Sequence, residues 1–444
     1  MVSKIKRTIN DIFNYKIGRL FFKNPRFILA VKLCVLMLFC FALFEAFFAP
    51  NAQNHIANAL FWSLFWPFFM VLSLATLGRV FCGICPHRFI GQILNKYALY
   101  KTPKFLRNRF IGTAILLLSY WSMLYFFYDL LDSALASGIF FFVFTVYSFV
   151  IFSLFTKMDY CRYFCPIASV TNEFSKNAFM FLATYQSACS VCKGFECAKA
   201  CPHGLSPFTF EKKESMHDCT LCMECTRACE AVGFFVKKPA FALQKVKKNE
   251  SFSGAWTVFS ITVVALISMS FYNALGASPL SQLMPWVVLG EQTSLTGVNT
   301  EGFFAVLFAL CFTGVFTLCI YIVTAKIFHL PVKEVFKAGI YSLVPLVLFG
   351  ALAQTLPFFF TTYAPNIVSA FLNHSVGAFI EKTDPVLRAF VLFHFVGLGV
   401  SSYVLYKRTA LFAKNRLKLF AMLSCFHIAY LCLIGFIIYA YVSH

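Results

Sequence analysis

Long apolar runs alternate with short polar breaks over most of the chain. Nine runs approach the roughly 20 residues that a helix needs to cross a hydrocarbon core about 30 Å thick. They lie at about 27–48, 58–80, 110–130, 137–156, 254–275, 303–326, 338–360, 386–406 and 419–441. A tight turn, DSALASG, joins the third and fourth, and KIFHLPVKEVFKAG, punctuated by Pro331, joins the sixth and seventh. One hydrophilic block, residues 157–253, interrupts the pattern. The pattern predicts an all-α polytopic membrane protein with about nine transmembrane helices. Its parts are a basic amphipathic lead-in (1–26), a four-helix membrane domain (27–156), the hydrophilic segment (157–253) and a five-helix C-terminal membrane domain (254–444).

Composition agrees with this division. The chain is 60% hydrophobic and 13% charged, about half the charge of a soluble domain. A net charge of +20 would suggest nucleic acid in a soluble protein. Here the basic residues are confined to one side, so nucleic acid is excluded and the charge sets orientation. With the N-terminus inside, the loops at 49–57, 131–136 and 276–302 face out and hold no Lys or Arg. Of 38 basic residues, only Lys382 and Arg388 fall on the outer side. The C-terminus then lies outside, and the 157–253 block faces the cytosol of a bacterial inner membrane. The lead-in is expected to lie on the membrane surface or to be solvated, and is too basic for a cleaved leader.

The cytosolic block concentrates the chemistry. It holds ten of the 18 cysteines, and Cys82 and Cys85 follow the second apolar run. The cytosol is reducing, so clustered thiols there point to metal or redox chemistry rather than disulfides. Cys34, Cys40, Cys311, Cys319, Cys425 and Cys432 are scattered through apolar runs and are expected to be small buried packing residues. Two quartets stand out, CSVCKGFECAKACP and CTLCMECTRAC. Soft, anionic thiolates at this spacing suit iron–sulfur clusters, and the trailing cysteine of each run reaches the other cluster. The expected ligation is therefore crossed: Cys189, Cys192, Cys197 and Cys229 for one [4Fe–4S], and Cys219, Cys222, Cys225 and Cys201 for the other. Zinc prefers paired C-x2-C units. The KGFE insert makes the first loop two residues longer than the usual bacterial pattern. Residues 185–235 resemble a bacterial two-cluster ferredoxin domain, which makes the cytosolic insertion a small α+β unit. No dinucleotide or P-loop fingerprint is present.

Two Cys-Pro pairs follow the second and fourth runs: Cys82, Cys85, Pro86 and Cys161, Cys165, Pro166, with Arg79, Arg88 and Arg162 close by. Cationic neighbours favour thiolate. If the two helix ends meet, the four sulfurs form a further thiol or metal site, a copper site or a dithiol relay. With the ferredoxin cysteines, these motifs make residues 27–275 resemble the membrane polyferredoxins of the NapH, NosR and CcoG type. That resemblance implies membrane electron transfer: quinol oxidation feeding a partner redox protein, or cupric-ion reduction in metalloenzyme assembly. The second motif matches that family's C-x3-C-P fully, whereas the first is one residue short.

The resemblance ends near residue 276. The C-terminal helices carry histidines but no cysteine motif. His394 and His427 sit at heights differing by roughly 6 Å, which disfavours a shared haem b and favours capped interior histidines. His55 and His374 are candidates for a quinone head group or a metal, and Glu45 for a proton acceptor. Pro345, Gly350 and Pro357 hint at a broken helix in the seventh run. Three functions follow: an inner-membrane electron carrier between a quinol pool or cytosolic donor and a partner protein, a cupric-ion reductase, or a cluster-gated transporter or redox sensor. The first implies two [4Fe–4S] clusters.

Overall fold

The computed structural model describes residues 7–49, 56–121, 133–190, 192–210, 216, 218–244, 251–263, 284–293, 295, 298–309, 311, 314–372, 374–381, 384–410, 412 and 416–442. The chain is mostly helical. Helix α1 spans Lys16–Lys23 and α2 spans Pro25–Phe48. Asn24 caps α2: its side-chain oxygen accepts from the backbone N–H groups of Arg26 and Phe27 at 3.0 and 3.3 Å, and Pro25 takes the first helical position. A π-helical stretch, Ala59–Leu72, carries the second apolar run, which ends at Gly78 with φ +82°. Then come α3 (Val80–Ile84), α4 (Pro86–Leu94), α5 (Phe110–Leu116), α6 (Ala134–Leu154) and α7 (Ala168–Phe174).

The hydrophilic block contains strand β1 (Met180–Thr184), short helices α8 (Glu196–Lys199) and α9 (Glu224–Ala228), and strand β2 (Val232–Val236). The C-terminal part contains α10 (Phe252–Ile261), α11 (Val315–Ile327), α12 (Val332–Phe358), α13 (Leu392–Thr409) and α14 (Arg416–Val442). Among the described residues, four helical runs are long and apolar enough to cross a membrane: Pro25–Phe48, Ala134–Leu154, Val332–Leu372 and Pro385–Thr409. The far ends of the third and fifth predicted spans, together with His55 and Lys382, lie outside the described residues. The seventh span is longer than expected. Helix α12 runs through Pro345 and Pro357 and continues to Leu372, so the prolines sit in a continuous helix rather than a break. Ser401 on α13 donates to the Ser342 carbonyl one turn before Pro345.

One hydrophobic core joins the two membrane parts. Phe81, Val170 and Phe174 pack in the same cluster as Val258, Ile340, Tyr341 and Leu405. Buried polar bonds pin this junction. The Tyr341 hydroxyl donates to Glu173 at 2.9 Å, Lys176 pairs with Glu173 at 2.5 Å, and Arg408 donates to the carbonyls of Leu243 and Lys337 at 2.9 and 3.2 Å. The six scattered cysteines depart from expectation. All are exposed on the helical surface, because a small apolar thiol meets lipid as readily as protein.

The lead-in also departs from expectation. From Arg7 onward it packs on the hydrophilic unit rather than lying free. Asp11 is fully buried and accepts from the backbone N–H groups of Phe13 and Phe234 at 3.0 and 3.1 Å, from Tyr185 at 3.0 Å and from Arg7 at 2.7 Å. Val236 donates to the Asn10 carbonyl, extending the β-sheet edge. Arg7 and Lys23 both pair with Glu230, the neighbour of Cys229. Phe13 enters the unit's core and Phe22 stacks edge-on against Phe234 at 5.2 Å. The opposite face of α1, including Ile17, Leu20 and Phe21, is exposed. Replacing Asp11 with alanine strands the Phe13 and Phe234 backbone donors and removes one of Arg7's two carboxylate partners. The expected cost is about 2–4 kcal/mol, read as faster proteolysis within the first 25 residues and a lower unfolding midpoint.

Candidate metal centres

β1 pairs antiparallel with β2, with Thr184 opposite Val232 and Met180 opposite Val236. Everything between the strands, including both quartets, is thereby closed into one loop-rich unit. Its start and finish meet, which brings the segment carrying Cys189 beside Cys229. Each quartet's third cysteine enters a short helix two residues after a left-handed residue: Phe195 before Cys197, and Met223 before Cys225. Leu221 is also left-handed, at φ +51°. Such residues cost roughly 1–2 kcal/mol each and turn successive amides and side chains toward one point, the geometry of an anion-binding nest. The repeat gives the two halves of the unit the same local design despite the KGFE insert.

The thiols of the hydrophilic unit influence one another in two neighbouring groups. Burial pushes the Cys197 thiol up to about 11, and Cys229, Cys189 and Cys192 push it further. Burial likewise pushes Cys219 up to about 12, with Cys222 and Cys201 adding to it, and holds Cys225 well above its ordinary value. Two groups of four cysteines therefore lie within mutual electrostatic reach, in the crossed order. Leu182, Leu205, Phe210, Leu221 and Met223 wall the second group. The Leu205 N–H points at Cys201 Sγ, 3.4 Å away. Among the described residues, no three His, Cys, Asp or Glu side chains converge tightly enough to hold a single metal ion. A zinc ion would draw four thiolates to about 2.3 Å from one centre. The apolar wall around the second group keeps its thiols from solvent.

The Cys-Pro pairs follow helix ends in sequence but fold back in space. Cys85 and Cys165 both take the extended conformation that a following proline imposes, with ψ of 131° and 126°. After Cys85 the chain runs as α4 alongside α6. His87 Nε2 lies 2.9 Å from Thr145 Oγ1, and Gly91 abuts Phe152. Thr145 is about nine residues, roughly 14 Å, from the C-terminal end of α6. On the other side, Tyr147 donates to the Phe164 carbonyl at 3.4 Å. The four thiols thus lie beside the middle of α6, inside the helical body rather than beyond its end. The unequal spacing of the pairs has a local cause. Residues Tyr160–Phe164 form a π-turn, closed by Cys165 N–H to the Tyr160 carbonyl at 2.8 Å. A π-turn takes one more residue per turn, so C-x3-C there presents both thiols as C-x2-C does on α3.

Cys82, Cys85, Cys161 and Cys165 act on one another electrostatically. All four line a cavity of about 250 Å³, together with Arg79, Arg88 and Thr220. Its other walls are aromatic and aliphatic, including Phe39, Phe61, Trp62 and Phe141. Thr220, from the second ferredoxin run, also lines the small space beside Cys201, Cys222 and Cys225. Two further ties join the sites. Asp218, just before Cys219, accepts from Arg162 at 3.1 Å and Arg109 at 2.9 Å. Gly83, between Cys82 and Cys85, lies so close to the second run that a Cβ there would sit 2.7 Å from the Leu221 carbonyl oxygen.

Sequence reasoning passed over Gly83, Thr220 and His203. His203 is buried with Nε2 3.1 Å from Thr220 Oγ1, and burial, aided by Arg88 and Arg162, holds it neutral. The repeated Cys-Pro-His triplet at 85–87 and 201–203 was the available signal. The candidates outside these sites stay apart from them. His427 caps onto Ser401 at 3.1 Å, His394 is buried, His374 is exposed and Glu45 is half-buried at the end of α2.

A family described as a 4Fe-4S binding domain matches residues 58–113 and 137–176. This stretch contains all four Cys-Pro cysteines and stops short of both quartets. Two proteins of Methanocaldococcus jannaschii are similar in part. The uncharacterized protein MJ0750 is 28% identical over 179 residues, 36% of this chain and 72% of its own length. The uncharacterized protein MJ0749 is 26% identical over 186 residues, 39% of this chain and 67% of its own. No solved structure matches. The domain match supports an iron–sulfur protein that transfers electrons through clusters. The Gly83→Ala variant should lose about 1–3 kcal/mol of stability through overpacking. Labelling of Cys219, Cys222 and Cys225 by a thiol reagent should then be faster than in the parent protein, with Cys189 and Cys192 unchanged.

Proposed function

We propose that this chain is an inner-membrane electron-transfer protein. It carries two [4Fe–4S] clusters on the cytosolic side, bound by Cys189, Cys192, Cys197 and Cys229 and by Cys219, Cys222, Cys225 and Cys201. The observation that supports the reading is the mutual influence of Cys197 with Cys189, Cys192 and Cys229, and of Cys219 and Cys225 with Cys222 and Cys201. When bound, each cluster supplies one-electron chemistry. The chain's own residues do the rest. Leu182, Phe210 and Met223 keep water from the second group, while the Leu205 N–H directs its dipole at Cys201 Sγ. Asp11, Arg7 and Lys23 hold Glu230, and with it the segment carrying Cys229.

Orientation rests on the distribution of Lys and Arg, which puts the quartets on the cytosolic face. The aromatic cavity beyond the Cys-Pro thiols is apolar and reaches α2 and α6. It offers a quinone ring a seat next to the redox unit, so the donor or acceptor on that side is a membrane quinone, and a partner redox protein serves the other. Anaerobically prepared Cys197→Ser and Cys225→Ser variants should each lose about four iron and four acid-labile sulfides. Each should also lose one paramagnetic signal while the other persists. Zinc without sulfide in the parent protein would end this reading. Reduction of the centres by a quinol analogue in a redox titration tests the membrane-side partner.

A further inference from the structure

We infer that α1 is seated in the cytosol-facing leaflet of the bilayer, its apolar face among acyl chains and Lys16 and Arg26 on anionic lipid headgroups. The inference rests on reading α2 as a membrane span that starts on the cytosolic side. Position is the first support. α1 ends at Lys23, only Asn24 separates it from α2, and Asn24 caps the α2 N-terminus. A helix joined to a span by one residue begins at the level where the hydrocarbon gives way to headgroups.

The two faces of α1 meet different surroundings. On one side Gly18 abuts the Ile12 backbone, Phe22 stacks on Phe234 in the core of the cysteine-rich unit, and Lys23 pairs with Glu230. On the other side Ile17, Leu20 and Phe21 adjoin at the helical period. They are 71%, 46% and 49% exposed. The apolar patch does not stop at the end of α1. Phe21 meets Phe27 of α2 edge-on at 5.0 Å, and Leu29, Leu33 and Met37 continue as an exposed ridge along α2. One apolar surface therefore runs from the span onto α1. Lipid covers the ridge on α2, and a soluble partner seated on α1 would have to displace it.

Charge is the third support. Lys16 lies one turn before Leu20 at the edge of the apolar face, and Arg26 is in the first turn of α2. Both are exposed, and neither enters a salt bridge among the described residues, whereas Arg7 and Lys23 are paired with carboxylates. Long cationic side chains beside an apolar helix face lay their stems along it and carry their charge to headgroup phosphates. Because Phe22 and Lys23 grip the cysteine-rich unit from the same helix, the lipid seat holds that unit, and the segment carrying Cys229, against the bilayer.

The test uses the full-length protein in membrane vesicles and nanodiscs. With p-benzoylphenylalanine in place of Phe21, irradiation should give adducts with lipid acyl chains. The same group in place of Phe22 should cross-link within the protein. Adducts from position 21 to a second polypeptide, or none to lipid, overturn the inference. The label in place of Leu33 reports on the span. Lipid adducts there but not at position 21 sink this inference alone, and none at either position sinks the membrane reading as well. In nanodiscs, amide exchange over α1 should be slower in phosphatidylglycerol than in phosphatidylcholine, by about fivefold for each basic residue engaged. The Lys16→Gln/Arg26→Gln variant, altered only at exposed side chains, should lose that difference. Equal exchange of the parent protein in the two bilayers overturns the seat on anionic headgroups.

Discussion

The backbone contact between Gly83 and the Thr220–Leu221 segment is the constraint on which the arrangement depends. It is a meeting of main chains, so no side-chain rearrangement can relax it. Any residue larger than glycine would drive a Cβ into a carbonyl oxygen. That contact fixes how far the cysteine-rich unit stands from the helical body. The Asp218 pairs with Arg109 and Arg162 fix its rotation. Both ties sit within one or two residues of a cysteine on each side. Rigidity at this junction suits a protein that passes electrons, because little reorganisation follows a change of charge at either site.

A second set of ties works at the far end of the same unit. Asp11 gathers four donors in a place without water, and Arg7 and Lys23 grip Glu230 beside Cys229. The first group of thiols is thus clamped from the N-terminus and the second from the helical body. The C-terminal helices join through Glu173, Lys176, Tyr341 and Arg408. Glu173 and Lys176 lie shortly after the second Cys-Pro pair. The helices that carry no cysteine motif therefore buttress the segment that carries one.

What the sequence disclosed, and what it hid, divides along a physical line. Cysteine spacing is local, so the two quartets were legible from residues 189–229. Hydropathy is also local, and it marked α2, α6 and the long C-terminal helices well. The fold-back of the Cys-Pro pairs was not legible. Nothing in CGICP or CRYFCP reports that Thr145 or Tyr147 will lie beside them. Docking of the lead-in was hidden for the same reason: the partners of Asp11 are at positions 185 and 234. The six scattered cysteines were misassigned because a lone thiol in an apolar helix carries no sign of which way it faces. Arg79 and Arg88 were visible as cations near cysteines, but their almost complete burial is a property of the packed molecule alone.

Depth is where these strands of argument join. A redox unit lying wholly outside the bilayer would need some other group to carry charge toward the membrane interior. The fold arranges its cysteines in a succession that runs inward. From the half-exposed edge at Cys189 and Cys192, the thiols pass inward to Cys197 and Cys225, then past Thr220 to the Cys-Pro site beside the middle of α6. Beyond that site the cavity wall changes from sulfur and guanidinium to Phe61, Trp62 and Phe141. Two buried cations at that boundary lower the cost of placing negative charge there, in a medium that otherwise strongly resists it. Two almost fully buried arginines at such a depth set positive charge beside four thiols, in surroundings that strongly resist unpaired charge.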